Sequence, residues 1–152
     1  MNMQRRHLKF DDVRSLHESG YQQVENWDLA QMLSHLNLTM KMAVDGSTMA
    51  FPAPLRGILK LFVYRKMARG DVVRFRAKAP VSLQPAPNVN LENEATEFER
   101  LCRLIDSPVQ KLIDMHPAFG RLSKDEWKTA LRWHASHHLS FLLPNQSENA
   151  PP

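Results

Sequence analysis

Two histidines near the end of this 152-residue chain, His134 and His138, stand four residues apart in the run SKDEWKTALRWHASHHLSFLLP. Four residues is little more than one helical turn, so both imidazoles project from the same face of a helix. His35 lies far upstream, inside a second helical run, NWDLAQMLSHLNLTM. Two nitrogen ligands from one helix and a third from another would make a three-nitrogen site with an open coordination position. That is the arrangement of a catalytic or ligand-binding metal rather than a structural one.

On a helical wheel His134 and His138 fall within the apolar stripe that contains Trp127, Leu131, Ala135 and Leu142. Core-facing histidines need partners, and protonating both would set like charges side by side in a poor dielectric. Two readings follow: each ring hydrogen-bonds a neighbouring helix, or the pair binds a metal. His137, three residues after His134, sits at the edge of the stripe and competes with His138 for the second position. His35 lies well off the centre of its own stripe of Leu29, Met32, Leu33, Leu36 and Met40, and alone it reads as a boundary residue. His7, His17 and His116 have no supporting spacing, and Trp27, Trp127 and Trp133 read as packing residues. No carboxylate lies within a turn of the C-terminal pair; Asp28, two turns before His35, is the nearest acid on that side. The chain has no glycine-rich phosphate loop and no legible Ser-His-Asp order.

The elements that must position these residues are helical. The patterning predicts a short helix over 10–19, stopped by Gly20. A strong helix follows, with Asn26 as N-cap and Gly46 as its stop. After Pro52 and Pro54 a third amphipathic stretch reaches Gly70, with Leu55, Ile58, Leu59 and Phe62 on its buried side. Residues 71–90, with Pro80, Pro85 and Pro87, read as an extended crossover. A helix capped by Asn90 then turns Leu91, Ala95, Phe98, Leu101, Cys102 and Ile105 inward. Pro108 precedes a short turn of helix in VQKLIDM, and HPAFGRL makes a tight connection. The last helix opens on a capping box, Ser123 with Glu126, and is expected to run to Pro144. The expected architecture is all-α: a single four-helix-bundle domain over 1–143 with a short extra helix and an irregular Pro-rich crossover. Residues 144–152 form a disordered tail in this reading.

Composition supports one soluble domain. Hydrophobic residues make up 43% and charged residues 24%, and Cys102 is the only cysteine, so no internal disulfide forms. No apolar run spans a bilayer and no apolar stretch follows the basic start, so a cytoplasmic location is expected. The net charge of +4 is local: residues 54–80 hold eight lysines and arginines against the single Asp71. These charges are scattered around a helix and a Pro-punctuated segment, not drawn into one stripe. They are therefore expected to be solvated rather than to bind nucleic acid or a membrane.

The runs NWDLAQMLSHL, HPAFGRLSKDEW and RWHASHHLSFL resemble a domain family within the DinB-like (YfiT-like) superfamily, over about residues 7–143. The resemblance implies a four-helix bundle and a divalent metal, zinc or nickel, held by one histidine of an early helix and two of a HxxxH on the last. On this sequence those are His35, His134 and His138. Some members are transferases using a low-molecular-weight thiol and others are hydrolases, so the resemblance implies no single reaction; the lack of a carboxylate beside the C-terminal pair favours a thiol-using transferase, with a metal-dependent hydrolase or a non-catalytic binding bundle as alternatives. The partners it implies are a small-molecule ligand or a thiol, with homodimerisation left open.

Overall fold

The computed structural model describes residues 10–24, 26–71 and 78–145; His7, the residue range 72–77 of the basic stretch and most of the expected tail lie outside them. The element order is α1 (Phe10–Ser19), β1 (Tyr21–Gln23), α2 (Leu29–Asp45), α3 (Ala53–Leu59), a π-helical turn (Lys60–Tyr64), α4 (Arg65–Ala68), a 3-10 turn (Val81–Leu83), α5 (Leu91–Asp106), β2 (Met115–His116), β3 (Gly120–Arg121), α6 (Lys124–Leu139) and β4 (Leu142–Pro144). The chain is mostly helical, and its strands form only two short antiparallel ladders, β1 with β4 and β2 with β3.

Helix α2 is the axis of the molecule. Its N-cap is Asp28 rather than the expected Asn26: the Asp28 carboxylate accepts from Gln31 N at 2.8 Å, and Gln31 Oε1 accepts from Asp28 N. The box is reciprocal, so two orphan donors are satisfied at once, which Asn26 is too far upstream to do. At the other end Gly46 takes φ 97°, a conformation that favours glycine, and its N–H closes on Met42 O. Between these caps eleven residues are buried, polar ones among them, so α2 is surrounded by protein on most sides.

Around α2 the core falls in two parts. One joins Leu29, Met32, Leu33, Leu36 and Met40 to Val13 and Leu16 of α1, to Phe98, Leu101 and Ile105 of α5, and to Leu139 and Leu142. The other gathers Ala43, Tyr64, Met67, Phe119, Leu122, Trp127 and Ala130. Asn90 caps α5 and the Ser123–Glu126 box opens α6, both as the residue pattern predicts.

Three further expectations are corrected. Leu55, Ile58 and Phe62 do not face the core; they are exposed at 39%, 55% and 62%, while Tyr64 and Met67 turn inward. The π turn explains this. Its wider turn shifts the phase of the side chains, so residues before it and after it cannot share one 3.6-residue stripe. The VQKLIDM segment forms no helix; Trp127 Nε1 donates to Ile113 O at 2.7 Å and Lys124 Nζ donates to Gln110 O at 2.8 Å, so its carbonyls serve α6 instead. Helix α6 stops at Leu139 rather than Pro144. The residue before a proline is pushed toward extended backbone, and residues 142–144 leave the helix to pair with β1, Gln23 opposite Leu142 and Tyr21 opposite Pro144.

Of the crossover, the described part 78–90 carries the 3-10 turn, which packs on α2. Among the described residues no helix is long and apolar enough to cross a membrane.

Candidate metal centre

His35 comes from the middle of α2, and His134 and His138 from successive turns of α6. His134 Nε2 lies 3.2 Å from His35 Nε2 and 2.9 Å from His138 Nε2. The three ligand atoms all fall within 4.8 Å of one another, and histidines alone make up the group. His35 is only 3% exposed, which overturns its reading as a boundary residue. Distance from the centre of an apolar stripe measures exposure only when the far side of the helix meets water, and α2 is buried nearly all round.

The three rings are oriented by what surrounds them. His35 Nδ1–H donates to the backbone oxygen of Leu83 in the 3-10 turn at 2.6 Å, which leaves Nε2 with its lone pair. Trp27 covers the cluster, its ring centroid 5.0 Å from that of His35 and 6.0 Å, nearly parallel, from that of His138. His137 is not one of the three; it stacks on Trp133 at 5.0 Å and 9°, meets the edge of Phe141, and touches the His138 ring edge-on at 5.5 Å.

Electrostatics keep the rings neutral. Burial lowers the pKa of His35, against the opposing pull of the Leu83 hydrogen bond. Burial, with His35 and His137 nearby, pushes His138 down to about 3. His134 is held well below its ordinary value by burial and then by the neighbouring histidines. Three neutral imidazoles therefore converge on one point. His35 offers only a lone pair there, and the two close contacts of His134 accommodate one hydrogen at most, since two would collide. A divalent cation satisfies all three nitrogens. Ligands at about 2.0–2.1 Å in tetrahedral directions stand roughly 3.3 Å apart, close to the observed spacings. The donor set fits the metal.

Carboxylates and thiols are absent from this set. Asp28 is committed to capping α2. Cys102 is partly buried on α5, and burial with Asp106 nearby pushes its thiol up to about 11, far from nucleophilic at neutral pH.

Sequence reasoning passed over three contributors. Trp27 gives no signal beyond its aromatic type. The Leu83 contact uses a main-chain oxygen and is invisible in residue identity. His116, set aside for lack of spacing, is half-buried and packs against Phe119 and Trp127, with ring centroids 4.5 Å apart in each case. Its Nδ1 accepts from the N–H of Ala118 at 3.0 Å and of Phe119 at 3.2 Å. A turn that needs a side-chain acceptor just before AFG was the readable clue.

Burial pushes His116 down to about 4. Unfolded, it takes up a proton near its ordinary value of about 6.5; folded, it refuses one until about 4. The unfolded chain therefore binds more protons in that window, and stability falls as pH drops through it. Urea unfolding of the metal-free chain is expected to show a midpoint that declines from pH 7 to pH 5, with a shallower decline in His116→Phe. An equal slope in the variant would remove His116 from this account.

A mostly helical protein whose two principal helices bring three histidine nitrogens to one point has the makings of a metal-binding helical domain. The chain belongs to the family described as "Protein of unknown function (DUF1569)", whose model matches residues 2–145. No curated protein and no solved structure matches the chain significantly.

Proposed function

We propose that this chain is a DinB-like four-helix-bundle protein that binds one divalent metal, zinc or nickel, through His35, His134 and His138, and uses it to activate a low-molecular-weight thiol for transfer. The observation that supports the reading most strongly is the convergence of three neutral Nε2 atoms with room for one hydrogen among them. A cation held by three neutral ligands keeps its full charge and acidifies a water or thiol placed in its open position. His35 is oriented by Leu83 O, and Trp27 shields one side of the cluster from water.

Thiol chemistry is favoured over hydrolysis by what the described residues bring to the site, a group of histidines alone. Hydrolysis wants a carboxylate as general base, and the donor group contains none. The thiol comes from outside, since Cys102 is a poor nucleophile and is not a member of the histidine group.

The partners of this reading are a small molecule and the thiol, in the cytoplasm, with no nucleic acid or membrane. Two basic residues of the 54–80 stretch are already engaged: Lys60 with Glu126 and the Arg121 carbonyl, Arg69 with Asp71. The outward apolar row of Ile58, Leu61 and Phe62 supports a homodimer through that face.

Elemental analysis of protein purified without a histidine tag tests the reading. About one equivalent of zinc or nickel per chain is expected. Absence of metal after incubation with excess zinc and nickel would leave the histidines a structural role only.

A further inference from the structure

An apolar pocket of about 250 Å³ lies between α2, the helix from Ala53 to Ala68, the β2–β3 hairpin and α6. Its walls include Met42, Leu59, Val63, Met67, Phe119 and Trp133. Two polar rings enter this otherwise greasy space, His134 of the metal cluster and His116.

His116 is more than a packed ring. Because Nδ1 accepts two backbone N–H groups, it carries the lone pair, and the hydrogen of the neutral ring sits on Nε2. Stacking on Phe119, with 24° between the planes, fixes where that N–H lies. Among the described residues no acceptor meets it. The half-buried ring is not among the groups whose polar atoms are sealed off without a partner, so this N–H is open to the pocket, and an accessible donor on an apolar wall is a ready place for a ligand acceptor.

We infer that this pocket binds a compact, uncharged organic molecule with one hydrogen-bond acceptor, such as a carbonyl oxygen, held by His116 Nε2–H while its apolar body rests against Met42, Val63 and Met67. The inference deepens the metal reading and rests on it in one respect: His134 belongs to both sites, so a molecule in the pocket lies beside the metal ligands. Size follows from the volume. A dry cavity of about 150 Å³ accepts benzene, so this one has room for a single ring with a short substituent. An ion would lose its hydration against these walls without a compensating charge.

Calorimetric titration of the full chain with acetophenone and with ethylbenzene, which is nearly the same shape but has no acceptor, tests the inference. Metal-loaded and chelator-treated protein are titrated side by side. Acetophenone is expected to bind about 5-fold more tightly than ethylbenzene, the size of one net hydrogen bond, in both forms. His116→Phe keeps the stacking but removes the donor, and should bring the ratio to about one with ethylbenzene affinity retained. Val63→Phe fills the cavity and should abolish both affinities without changing metal content. Equal binding of the two probes by the wild-type chain would overturn the inference, as would a preference that disappears with the metal or binding that survives Val63→Phe. A preference found in a chain that takes up no metal would uphold the pocket and sink the metal reading, so the two stand or fall separately.

Discussion

Single replacement of His35, His134 or His138 by alanine is expected to weaken zinc or nickel binding by about 100-fold or more, beyond the 10–100-fold usual for losing a group that only supports a ligand. Each change removes one of three nitrogens that meet at a point, with His134 Nε2 3.2 Å from His35 Nε2 and 2.9 Å from His138 Nε2. His137→Ala is the internal control. Its ring stacks on Trp133 instead of joining the cluster, so metal affinity should stay within a few-fold of the parent. Competition with a chromophoric chelator reads all four variants. Full affinity in His138→Ala together with a loss in His137→Ala would show that the wrong neighbour had been assigned.

Trp127→Ala should be the most damaging core substitution, costing about 3–5 kcal/mol in urea unfolding. Trp127 is fully buried, its Nε1 donates to Ile113 O at 2.7 Å, and His116 packs against it at a tilt of 45°. The change leaves a cavity and an unpaired carbonyl, and it also frees the segment that α6 holds in place of a helix. Trp127→Phe keeps most of the volume and should cost less than half as much. A loss below about 1 kcal/mol for the alanine variant, the size of one ordinary hydrogen bond, would mean that this indole does not tie the hairpin to α6.

The sequence was most legible where local chemistry and burial agree. The Ser123–Glu126 box, the Asn90 cap and the glycine stops at Gly20 and Gly46 are decided within a few residues, and the chain adopts them as read. His134 and His138 were singled out by spacing alone, since four residues put two rings on one face of a helix whatever the rest of that face carries. His35 was harder, since a helix buried on most sides has no polar face to measure against. The stretch from Leu55 to Phe62 misled for a different reason: the pattern assumes 3.6 residues per turn, and the π turn breaks that period in mid-helix. The end of α6 was overrun because its competitor, β1, lies more than a hundred residues away in the chain. No local signal in residues 140–144 announces that partner.

The contact between His35 and Leu83 shows where the information for this centre is stored. The turn offers a main-chain oxygen, and any residue type supplies one there. What matters is that the chain between α2 and α5 arrives with the right carbonyl at the right place. Substitution at position 83 leaves that oxygen present, while inserting or deleting a residue between positions 78 and 90 moves it. The constraint is one of length rather than of letter. Relatives built on the same plan would keep the count of residues leading into α5 while varying their identity, and an alignment scored by residue similarity alone would place this part of the site among the least informative columns.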